Sequence, residues 1–125
     1  MSPRAKHEVA RDHLDLARDE AEEGHLGVVA TFLLHASEAA LDALADAHDI
    51  SRSPTHWRRE QIANELETTD VLESEDTAEL VRLLNQQRKA YAYDGDEPDF
   101  GGQHAEDVIA RVEELVEAAE EAVDD

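Results

Sequence analysis

Apolar residues recur along the chain at three- and four-residue steps, the spacing that gathers side chains onto one face of an α-helix. The clearest run is C-terminal, where Val108, Ile109, Val112, Leu115, Val116, Ala119 and Val123 share a stripe. Glu106, Asp107, Glu113, Glu114, Glu117, Glu120 and Glu121 take the other side. Upstream, Leu80, Leu83, Leu84, Gln87 and Tyr91 predict a helix from about Thr77 to Ala92, and Asp76 with Glu79 has the spacing of a capping box at its start. Leu26, Val29, Ala30, Leu33, Ser37, Ala40, Leu41 and Leu44 predict the central helix, Leu26 to His48, whose alanines permit a neighbouring helix to approach closely. Pro3 to about Glu23 reads as a helix with Val9, Leu16 and Ala17 inward, ended where Gly24 meets Gly27. A shorter helix from Thr55 to about Glu67 would use Trp57, Ile62, Ala63 and Leu66. Asp94, Gly95, Asp96, Pro98, Gly101 and Gly102 crowd into one stretch that must be a loop.

No segment fits the strand period. The expectation is therefore an all-α fold, an up-and-down bundle of four long helices plus one short helix, with residues 1–125 forming a single domain.

Charge changes the picture of the solvent more than of the fold. Asp and Glu number 32 against 11 Lys and Arg, a formal net charge of −21. Self-repulsion on that scale strains a compact state in dilute buffer, whereas in molar salt the Debye length falls to about 3 Å and the repulsion is screened. The balance indicates adaptation to a saline, halophilic cytoplasm. Disordered acidic chains lack periodic apolar residues, and this one has them throughout. With no cysteine there is neither a disulfide framework nor a thiolate metal site. The longest near-apolar stretch, Gly27 to Leu34, falls short of the ~18 residues that span a bilayer. No apolar segment follows the charged N-terminus as a secretion signal would require. A cytoplasmic location without membrane attachment is the expectation.

Three local patterns, in order, carry a resemblance. They are Leu33 to Leu44 (LLHASEAALDAL), Ser53 to Leu66 (SPTHWRREQIANEL) and Leu84 to Gly95 (LNQQRKAYAYDG). Together with the helix plan they resemble the HEPN superfamily, over roughly Ala10 to Val123: the first is similar to its second helix, the second to the Thr-His start of its third. In that family an Arg near the end of the penultimate long helix is followed, four to six residues on, by a His that completes a ribonuclease motif. Here Arg88 is in place, four residues separate it from Tyr93, and no His lies nearer downstream than His104. The Arg-x4-Tyr variant resembles small HEPN proteins often paired with a minimal nucleotidyltransferase.

The chemistry of the motif explains why the substitution matters. A guanidinium stays charged and offers a planar fork of donors to phosphate oxygens. A free histidine titrates near pH 6.5 and can move a 2′-hydroxyl proton, but a free tyrosine titrates near 10 and is protonated at neutral pH. The resemblance thus supports a site and argues against its usual reaction. The candidate binding residues are Arg88 for a phosphate, Tyr91 or Tyr93 as stacking surface or hydroxyl donor, Lys89 as a second charge, and Glu38 as an orienting partner for Arg88. The competing reading pairs Arg88 with acidic neighbours and lets the tyrosines fill the end of the bundle.

Other candidates are weaker. The seven histidines include no pair at three or four residues, and the single Glu22-to-His25 Glu-x-x-His is interrupted by Gly24, so no metal site is expected. No Gly-rich phosphate loop is present, and no other cofactor is implied. His35 and His56 suit core packing and capping, and Trp57 suits a core anchor. The leading function is a non-catalytic HEPN module, homodimeric by resemblance, that binds a nucleotide, RNA or a nucleotidyltransferase partner, in a toxin-antitoxin or defence setting. The enzyme alternative is a metal-independent endoribonuclease in which Tyr93, or a histidine such as His104, replaces the usual base. The plainest alternative is a ligand-free helical protein that dimerises through an apolar patch.

Overall fold

The computed structural model describes residues 2–48, 62–64, 66 and 77–124. Among these the chain is helical, with no strand. Helix α1 spans Pro3–Glu22, α2 Leu26–Ala47, α3 Thr77–Lys89 and α4 Ala105–Asp124. Residues 62–64 and 66 are also helical, with Ile62, Ala63 and Leu66 in the core. Most of the predicted short helix, including His56, Trp57 and the Thr-His start, and the capping residue Asp76, lies outside the described residues.

Each boundary has a local cause. Ser2 caps α1 by accepting the Ala5 N–H on its hydroxyl, and Pro3 sits at the first helical position, where its missing donor costs nothing. The chain then reverses through Gly24, whose φ of +76° suits a residue without a Cβ. Lys6 near the start of α1 pairs with Asp46 near the end of α2, and His13 meets His35 edge-on at 5.4 Å between ring centroids. This falling register makes the two helices antiparallel. His7 and Arg11 face Glu120, and Arg18 faces Glu113, so α4 also runs antiparallel to α1.

Helix α2 is the hub, packed against α1, α3 and α4. Val29, Ala30, Leu33, Leu34, Ala40, Leu41 and Leu44 are all fully buried. By length and composition alone this helix could cross a membrane, but 72% of its apolar window is buried inside the protein. The bundle core accounts for that apolarity.

Two expectations change in the structure. On α1 the inward stripe is Lys6, Ala10, Leu14 and Ala17, while Leu16 is 44% exposed and Val9 only partly buried. Of the three expected positions only Ala17 lies on the buried stripe, whose bulky aliphatic is Leu14 rather than Leu16. His35 is exposed rather than in the core, its ring edge-on to His13 on the surface of the α1–α2 pair.

Candidate site at the end of the third helix

Helix α3 ends in an unusual way. Its α-helical bonding stops at Lys89 and continues as a π-type turn over Ala90–Asp94. Gly95, at φ +70°, closes the turn, donating to the carbonyls of Ala90 and Tyr91. Single π turns of this kind are rare and concentrate at functional positions. Here the widened turn carries both tyrosines of the motif.

Tyr91 lies against the start of α2. A Cβ on Gly27 would overlap the Tyr91 ring, so the ring occupies the space that any other residue at position 27 would fill. Gly27 is buried, whereas Tyr91 keeps 42% of its surface exposed. Tyr93, two residues on, is 79% exposed. Lys89 is exposed beside them.

Arg88 sits one turn before Tyr91, on the helix face where residues three apart are neighbours. It is partly buried. Its Nη2 donates to the Asn85 Oδ1 at 3.2 Å, and its Nε is buried without a partner. Among the described residues no carboxylate pairs with it. Glu38, expected to orient it, is buried in the middle of α2, roughly 16 Å further along that helix than Gly27 at 1.5 Å per residue. The Tyr91–Gly27 contact sets the end of α3 against the beginning of α2, and Arg88 bonds to Asn85 rather than to Glu38. The structure brings Arg88, Tyr91 and Lys89 to one helix end and sets Tyr93 outward there.

The other described buried side-chain nitrogen without a hydrogen bond is His7 Nε2, but Glu120 stands 3.9 Å from it. Leaving a buried donor unsatisfied costs about 1–3 kcal/mol, more for a charged group. Among the described residues no acid pairs with Arg88, in a chain of net charge −21.

A neighbouring device escaped the sequence reading. Gln87 reaches into the loop after α3: its Oε1 accepts from the backbone N–H of Asp99 at 3.0 Å and Phe100 at 3.2 Å, and its Nε2 donates to Asp99 Oδ1 at 3.3 Å. Asp99 Oδ1 also accepts the Gly101 N–H at 3.0 Å. These bonds hold Phe100 at φ +50°, a left-handed conformation that costs a non-glycine residue about 1–2 kcal/mol. Its ring is buried, which offsets the strain by roughly 1.5–3 kcal/mol. A glutamine at a helical core position and a Pro-Asp-Phe-Gly-Gly loop gave no periodic signal that would have linked them.

Two clefts are lined by described residues that do not include Arg88. One lies between α3 and α4. The other, of about 670 Å³, runs along α1 and α4 and contains His104 with Arg18, Glu22 and Glu113. His104 is thus set in surroundings that Arg88 does not share. Among the described residues no group of three or more His, Asp or Glu side chains is arranged to hold a metal ion.

The arrangement of long helices, with an arginine near the end of the penultimate one, agrees with one further comparison. A family model of the HEPN domain matches residues 6–122. The chain belongs to the HEPN domain family. No curated protein and no solved structure matches it. The match covers nearly the whole chain, so α2, α3 and the π turn, with most of α1 and α4, fall within the HEPN domain. The first and third motifs lie on α2 and on the end of α3, as the resemblance implied, while the second falls mostly outside the described residues.

Proposed function

We propose that this HEPN protein binds a phosphate-bearing partner, RNA or a nucleotide, through Arg88 and the tyrosines of the π turn, without cleaving it. One observation carries the reading: the Arg88 guanidinium is partly withdrawn from water, bonded to a neutral amide and left with a buried, unpartnered Nε. A group kept that way satisfies its donors when an oxyanion arrives, and guanidinium matches phosphate geometry. The exposed faces of Tyr91 and Tyr93 offer stacking surface for bases, a contribution of about 1–3 kcal/mol per base. The exposure of Tyr91 and Tyr93 favours a strand of RNA over a small metabolite.

The absence of a motif histidine supports a binding role over a ribonuclease role, because position 93 holds a tyrosine and His104 lines a cleft along α1 and α4 with Arg18, Glu22 and Glu113. Homodimerisation and a minimal nucleotidyltransferase partner fit the same surface, since exposed Tyr93 and Lys89 are available to a second chain. A toxin-antitoxin or defence role follows from those partners.

The test is RNA binding in molar KCl, where the acidic chain is screened and folded. Arg88→Ala should weaken retention of a fluorescent RNA tenfold or more while the far-ultraviolet circular dichroism stays unchanged. Unaltered binding by that variant removes the site. Incubation of the pure protein with RNA, chelator and molar salt should leave the RNA intact; steady cleavage would restore the ribonuclease reading.

A further inference from the structure

Between Leu84 and Pro98 no residue is buried, and none of the π turn over Ala90–Asp94 contributes to the core. Tyr91 rests on Gly27, yet keeps 42% of its surface exposed. A segment with so little buried area keeps its shape only if its ends are fastened. The near end is the body of α3. The far end is fastened by Gln87, whose Oε1 accepts the backbone N–H groups of Asp99 and Phe100 while its Nε2 donates to Asp99 Oδ1. Arg88, Lys89, Tyr91 and Tyr93 all lie between these two points. The chain leaves α3 just after Gln87, carries the four candidate contacts round a loop, and returns to the same side chain.

The closure is specific. Leu83 and Gln87 lie four residues apart on one face of α3, and a Cβ on Gly101 would stand 3.5 Å from the Leu83 side chain, so the returning loop lies along that face. Pro98 and Phe100, on either side of Asp99, are both buried and anchor the loop there. Phe100 takes φ +50° at this point, a strained conformation of the kind that persists where surrounding bonds over-determine it and that clusters at functional sites. An amide meets the demand made at position 87: its oxygen accepts two N–H groups and its nitrogen donates to a carboxylate. A carboxylate at 87 could accept the same two bonds but would face Asp99 with like charge.

We propose that Gln87 is a positioning residue for the RNA-binding surface: without touching RNA, it holds the loop from Arg88 to Pro98 closed, so that Arg88, Tyr91 and Tyr93 are presented together. The inference rests on the binding role proposed above. A loop that must be ordered at the moment of binding lowers affinity, and fastening it beforehand avoids that loss. Gln87 therefore acts on affinity through the order of the loop.

The experiment pairs amide hydrogen exchange of the ligand-free protein with retention of a short fluorescent single-stranded RNA, both in molar KCl. Gln87→Ala should speed exchange roughly tenfold or more at Asp99 and Phe100, and at Gly95 and Asp96, which bond back to Tyr91 and Ala90. It should leave α1 and α2 protected and weaken RNA binding by roughly tenfold. Gln87→Glu should act in the same direction, because two carboxylates then oppose each other. The double variant Gln87→Glu, Asp99→Asn keeps the net charge and lets the new amide donate to the new carboxylate, so it should recover both exchange protection and RNA affinity. A clamp that serves stability alone would alter exchange and leave affinity untouched. RNA binding unchanged in a folded Gln87→Ala protein, or still weak in a double variant whose exchange is restored, overturns the proposal. Arg88→Gln should lose RNA with loop exchange unaltered. If Arg88→Gln loses RNA while Gln87→Ala keeps it, only the positioning role falls; if the wild-type protein retains no RNA, the binding role falls and this one with it.

Discussion

Arg18 and Arg88 belong to the same bundle and meet opposite surroundings. Arg18, on α1, has Glu113 of α4 at 2.5 Å and Asp15 at 3.5 Å, and Arg11 nearby is flanked by Glu113 and Glu120. Arg88, on α3, has an amide oxygen and a buried Nε with nothing to bond. With 32 Asp and Glu against 11 Lys and Arg, a surface cation readily finds a carboxylate. The α1–α4 face shows that outcome: its ion pairs set the register of two helices and are worth about 0–1 kcal/mol each at such exposure. The end of α3 departs from it, and the departure is costly. The difference teaches that Arg88 departs, among the described residues, from the pairing seen on the first face, as the proposed phosphate role requires.

That contrast can be broken at several points. The largest effect is expected at Arg88: replacing it with Ala should weaken RNA binding by about 10- to 100-fold, the worth of a hydrogen bond to a charged group. Gel retardation against wild type in molar KCl measures it. Salt comes next. Raising KCl from about 0.1 M to molar should increase the melting temperature by roughly 10 °C, because screening removes a few kcal/mol of self-repulsion from a domain of this size. A melting temperature that falls with salt would mean that the ion pairs of the α1–α4 face outweigh the excess charge. Gly27→Ala sharpens the contrast from the other side: the new methyl must push the Tyr91 ring away, so binding should drop several-fold. Stability should change by less than about 1 kcal/mol, since alanine is the better helix former. The smallest effect belongs to Arg18→Gln, which should cost at most about 0.5 kcal/mol at low salt, nothing measurable in molar salt, and leave RNA binding as it was.

Most of the fold was legible in the residues, and the reasons differ by element. Helix α4 announced itself through bulky apolar residues on one side and glutamates on the other, and Ala105–Asp124 is where the pattern placed it. Helix α1 was found but turned, because its buried stripe runs through Ala10, Leu14 and Ala17, and small residues weigh little in a hydrophobic pattern. The motif Arg88, Tyr91, Tyr93 could be read by resemblance, and its location on the penultimate long helix followed. Its partners could not. Only the packing of α3 on the start of α2 reveals that Gly27 stands against Tyr91. The π turn over Ala90–Asp94 leaves no trace in spacing, since its extra residue is absorbed by the backbone. Gln87 likewise reads as an ordinary helical residue until the loop that it anchors is seen in place.

The central claim, that Arg88 is withheld from acids for an external phosphate, is tested most directly by Arg88→Met, which keeps the volume and removes the charge and its unsatisfied donor. In molar KCl the variant should bind RNA at least tenfold more weakly and melt no lower than wild type, with a gain of up to about 1–2 kcal/mol as the buried nitrogen is replaced by an apolar group. Wild-type RNA affinity together with a lowered melting temperature would contradict the claim and make Arg88 a structural residue.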